Sequence, residues 1–147
     1  MRYGFRSSSR ARTYLIGMLL VLISGCSDDD AARSAVEGRM EELNVVVSDI
    51  PEGFTFDYEE GNSAGTMFRF KDDVDGWLAI GRVVPVQTGV VGEPIDLGEQ
   101  RVGVIHRFAG SIRAEMPDSD GTTVVVSSTP SYEELAISVL RDIVTNS

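Results

Sequence analysis

The chain has 147 residues, 42% of them hydrophobic, and a formal net charge of −10. That length suits one domain with a core of its own, and the hydrophobic share argues against the disorder that acidity alone would permit. The charge excludes a nucleic-acid binder and a protein held to anionic membrane by electrostatics. A single cysteine, Cys26, and a single histidine, His106, leave no intrachain disulfide and no usual zinc ligand set.

The first 26 residues divide in three. Met1–Thr13 carries Arg2, Arg6, Arg10 and Arg12 and no acidic residue, Tyr14–Ile23 is the apolar run "YLIGMLLVLI", and the small residues Ser24 and Gly25 precede Cys26. A basic start, a short apolar stretch and a small-residue cleavage site make a secretory signal. A membrane-spanning helix needs about 20 apolar residues, so this run is too short for one. The "ISGC" at 23–26 resembles the lipobox of prokaryotic lipoproteins. The resemblance implies cleavage between Gly25 and Cys26, diacylglyceryl transfer to the Cys26 sulfur, and attachment to the lipid bilayer through that residue. Two or more acyl chains anchor stably where one would be marginal. The place implied is extracytoplasmic, on the outer face of the cytoplasmic membrane or, where one exists, the outer membrane, which Ser27 favours over an aspartate. No twin arginine precedes the apolar run, which points to export of the unfolded chain.

Cleavage there leaves 122 residues holding all 23 acidic side chains against nine basic ones, a net charge of −14. With Cys26 acylated no thiol remains for catalysis or metal binding. The expected organisation is a signal at 1–25, a lipidated tether at 26–30 and a single domain over 31–147. Twelve arginines to one lysine reflect genome composition or adaptation to salt.

From Ala31 to about Leu43, Ala32, Val36, Met40 and Leu43 recur at helical spacing. Asp28–Asp30 supply caps and favourable charge at that helix's start, and Gly38 weakens it. At Asn44 the period turns to alternation. "NVVV" is β-branched, and Phe54, Phe56 and Tyr58 alternate with polar residues as a half-buried strand should. After the turn "GNSAG" comes "TMFRFK", with Phe68 and Phe70 on one face. Asp75-Gly76 is a hairpin signal leading into "WLAIGRVV". Residues 85–99, "PVQTGVVGEPIDLGE", are too rich in Gly and Pro for a regular element, yet hold Val90, Val91, Ile95 and Leu97. "QRVGVIHRF" and "SIRAEM" read as strands, and Asp120-Gly121 turns into "TTVVVSS".

At the C-terminus, Ser131 and Glu134 form a capping box after Pro130. Leu135, Ala136, Val139, Leu140, Ile143 and Val144 make one apolar stripe, which Ile137 broadens. The sum is an α+β fold: an antiparallel meander of about six strands, a short N-terminal helix, and a C-terminal helix packed on one face. The pattern over roughly 45–145, ending in "DGTTVVVSSTPSYEELAISVL", resembles small lipoprotein and anti-sigma-associated surface domains of unknown function. That resemblance implies the α+β domain and carries no catalytic signature.

His106 shares alternate positions with Val102, Val104 and Phe108 and reads as a core or edge histidine, with a general base or pH-responsive group as the sharper alternative. Asp72, Asp73 and Asp75 before Gly76, and Asp118 and Asp120 before Gly121, have part of a calcium-loop pattern. Aligned on their glycines, these loops place Lys71 or Met116 first and Arg82 or Ser127 twelfth, where carboxylates belong, so they read as hairpin turns. Ser111 in "AGSIR" is no nucleophile elbow, and no phosphate loop is present. Trp77 reads as core. The expectation is therefore a non-enzymatic, cofactor-free lipoprotein that binds an envelope partner, with Val90, Val91, Ile95 and Leu97 as the contact loop. One rival is a carrier of lipid or another hydrophobic ligand, entered at that loop. Another is an envelope hydrolase using His106 and carboxylates.

Overall fold

The computed structural model describes residues 28–85, 87 and 89–147, so the expected signal and Cys26 lie outside the described residues. Helix α1 (Asp28–Glu42) is followed by β1 (Thr55–Asn62), β2 (Gly65–Lys71), β3 (Trp77–Val83), β4 (Glu93–Gly98), β5 (Arg101–Arg107), β6 (Ile112–Pro117), β7 (Thr123–Ser128) and α2 (Glu133–Asn146). All seven strands form one antiparallel sheet in the order β1-β2-β3-β7-β6-β5-β4. The expected single meander is thus two, joined where β3 pairs with β7. These are the strands with the most continuous apolar runs, Leu78–Ile80 and Val124–Val126, all buried, and the pairing places them at the centre.

Both helices lie on one face of the sheet. Val36 and Met40 of α1 and Ala136, Val139, Leu140, Ile143 and Val144 of α2 meet Phe68, Phe70, Leu78, Ile80, Ile105, Ile112, Ala114, Met116, Val124 and Val126 in one core. The C-terminal stripe is as the sequence implies, with Leu135 and Ile137 packed at its margins. The capping box does not form. A 3₁₀ turn over Pro130–Tyr132 precedes α2, whose first residue is Glu133, and no side chain caps it. Tyr132 is held elsewhere, edge-on to Phe54 with ring centroids 5.1 Å apart and its hydroxyl bonded to Asp72.

Helix α1 starts three residues ahead of the expected Ala31 and takes in Asp28–Asp30. The β-branched Val45–Val47 form no strand. Asn44 turns the chain with a φ of 57°, Val45 is fully buried, and Val47 packs at the core's edge. The seventh strand is β4 instead, inside the segment read as irregular. In β1 a bulge at Asp57 puts Phe56 opposite Phe70 and Tyr58 opposite Arg69, so the two rings lie on opposite faces of the sheet.

Candidate binding face

The antiparallel registers align one row across the face turned away from the helices. It runs Tyr58, Arg69, Ala79, Ser127, Arg113, His106. Period-two alternation dictates this: residues flanking each core position point to the opposite side. Among the described residues no helix covers this face. Ala79 and Ser127 are the row's smallest side chains, and the two arginines lie on either side of them.

Arg69 lies over Trp77 with its Cζ 4.8 Å from the ring centroid, and 5.7 Å from that of Tyr58. Such cation–π stacking fixes a long side chain that would otherwise sample many rotamers. Its Nη1 donates to the Tyr58 hydroxyl at 3.4 Å, while its Nε is buried without a partner. Trp77, read from the sequence as core, is half-buried on this open face beneath the guanidinium. It opens β3 one residue before core-facing Leu78, and alternation carries it to the other side.

Across the row, Arg113 Nε donates to Glu115 Oε2 at 2.7 Å, and its Nη2 is buried without a partner. Glu115 Oε1 lies 3.1 Å from His106 Nε2, and His106 Nδ1 lies 3.2 Å from the Val90 carbonyl oxygen. A carbonyl only accepts, so Nδ1 carries the proton there. His106 also stacks on Phe108, ring centroids 6.5 Å apart. It is buried, as expected, but on the face opposite the main core. Both ring nitrogens are engaged by protein atoms.

Ahead of β4 at the far edge, residues 89–92 form a strap that meets this face at β5. A Cβ on Gly92 would stand inside contact distance of Val104 Cγ1 and 2.7 Å from His106 Cε1. This strap divides the four residues singled out from the sequence. Val91 is 91% exposed and Val90 38%, whereas Ile95 and Leu97 belong to β4, with Leu97 fully in the core and Ile95 packed against it. Of the four, only Val90 and Val91 are therefore exposed, near the exposed Val102 and Phe108 of β5 and its end.

The acidic turns serve the fold. Asp72 Oδ1 accepts from the Val74 and Gly76 amides at 2.9 and 2.7 Å, and Oδ2 accepts from Tyr132. The tyrosine hydroxyl, then those amides, hold this carboxyl below the usual range, and the same bond raises Tyr132. Asp118 is lowered chiefly by Arg82, and Asp120 by the Thr122 hydroxyl. Among the described residues no group of three or more His, Asp or Glu side chains converges as a metal site, and no helix is long and apolar enough to cross a membrane. Arg69, Arg113 and Glu115 carried no motif. Their signal was alternation, readable only once strand order and register are known. No family model, curated protein or solved structure matches this chain.

Proposed function

We propose that this chain is a lipid-anchored, extracytoplasmic binding module without catalytic chemistry, and that it meets a protein partner of the envelope through the helix-free face of its sheet. The observation that carries this reading is the row from Tyr58 to His106. Arginine, tryptophan and tyrosine are the residues that dominate interface energetics, and here they are held in place on β1–β3, on the same open face that carries exposed Val102 toward its other edge. The helix side, by contrast, is largely covered by α1 and α2 packed on the core. The anchor rests on the lipobox at 23–26 and its Cys26.

Two features speak against the rivals. The His106 nitrogens are committed to Val90 and Glu115, leaving neither facing open space as a base. Gly92 packs closely against Val104 and His106 of β5, which speaks against this segment as the mouth of a lipid carrier.

The test is photo-crosslinking from single positions of the anchored protein in intact envelopes. A photoreactive residue at Val91 or Val102 is expected to give one discrete adduct, weakened by Arg69→Ala and absent from a probe at Glu37 on α1. Equal labelling from all three positions, or none from the face, would overturn the reading.

A further inference from the structure

A groove of about 290 Å³ lies beneath the first half of α1, lined by Ala32, Val36, Ile50, Phe54, Phe56 and Phe70. It exists because the apolar stripe of α1 stops short. Val36 and Met40 are buried in the core, but Ala32, one turn earlier, is exposed and too small to fill the space beneath it. The opposite wall is aromatic, with Phe56 edge-on to Phe70 at 5.9 Å. Asp30, Arg33 and Glu37 add charge to the lining. There Arg33 pairs with Glu37 on its own helix and with Asp49 across the gap, at 2.9 and 3.7 Å.

Part of the polar lining is engaged within the protein. The Arg33 guanidinium has its two carboxylates, and the Thr55 hydroxyl bonds the Lys71 carbonyl at 3.4 Å. None of the buried unpartnered polar atoms on the described residues lies here. With a wall of Val36, Ile50, Phe54, Phe56 and Phe70 and with its arginine already paired, such a groove suits hydrocarbon. Its volume is at the low end for ligand sites, about 300 Å³ and upward, enough for part of one chain and too small for a whole lipid.

The sequence places a source of hydrocarbon at its end. Cys26 stands two residues before the first residue of α1 and four before Asp30 on the groove's rim. Four residues span at most about 14 Å. We infer that the groove takes one acyl chain of the lipid borne by Cys26 of the same molecule. This rests on the lipid-anchored reading. The chain completes the packing of α1 that Ala32 leaves open and ties the helix to the anchor, so that the domain is oriented on the bilayer and one chain fewer is left to hold it there.

The test uses the full protein made in cells fed a palmitate analogue with a diazirine in its chain, irradiated, then examined by intact mass and peptide mapping. Intramolecular adducts are expected within residues 30–56 or at Phe70. They should fall several-fold in Ala32→Trp, which plugs the groove from an exposed position and leaves the core intact. Acylated protein whose adducts go only to phospholipid or other proteins would overturn the groove assignment while leaving the anchor standing. Labelling of the groove by a diazirine phospholipid, with none from the Cys26 chain, would overturn it in favour of a membrane-lipid site. Equal adducts in Ala32→Trp would overturn it too. An intact mass without acyl groups would remove the anchor, and the groove's occupant with it.

Discussion

Arg82 joins parts of the chain that the sequence keeps far apart. It sits near the end of β3 with its side chain 10% exposed, and donates to the Leu43 and Asn44 carbonyls, to Asp118 and to Thr122. It thereby fastens the end of α1 to the β6–β7 turn. Arg82→Ala would strand the Asp118 carboxylate and the Leu43 carbonyl in part-buried surroundings, with an expected loss of about 2–3 kcal/mol in urea unfolding. The pH dependence follows from Asp118, whose carboxyl is held below its ordinary value by Arg82. A group lowered in the folded state contributes stability that is fully present above its unfolded pKa and is lost as pH falls through the lower folded one. The deficit of Arg82→Ala against wild type should therefore be constant near neutrality and shrink below about pH 4, where ordinary carboxylates begin to protonate. A deficit unchanged at pH 3 would mean that the carbonyl bonds carry the whole effect. Arg107 makes a similar bridge to Glu133 at 2.6 Å on the exposed surface, where such pairs contribute little.

Among the elements, α2 was the most legible from sequence, because six stripe positions repeat at one period and no neighbour is needed to read them. Leu140, fully buried at the centre of that stripe, should cost about 2–5 kcal/mol when replaced by Ala, measured as a drop in unfolding free energy. Strand β4 was illegible for the opposite reason. Its Gly and Pro signalled a loop, but Pro94 sits on an edge strand, where a missing amide is tolerated, and Ile95 and Leu97 still reach the core. The bulge in β1 was equally hidden, since nothing in "FDYEE" marks which residue falls out of register. The strap 89–92 is held at its end by Gly92 and by the bond from His106 to Val90. Gly92→Val should push it off β5, raising protease cleavage within 89–92 while the unfolding midpoint moves little. Unchanged cleavage would show that the strap is fastened elsewhere.

At the scale of the whole molecule, charge and edges favour the open face over the sheet edges as the proposed binding surface. Both edge strands are blunted, β1 by its bulge and by Asp57, Glu59 and Glu60, and β4 by its shortness, Pro94 and Asp96. Such edges resist strand addition by another chain. The fold class and the two helices were readable from composition and period, whereas the face came only from register. The proposed address rests on 26 residues whose pattern needs no fold to be read. The most direct measurement is the intact mass of the protein recovered from membranes of expressing cells. The account predicts a chain beginning at Cys26 that carries acyl groups, with Cys26→Ala remaining at its uncleaved, unacylated mass. A wild-type mass equal to the whole unmodified chain, or to a cleaved chain without lipid, would contradict it.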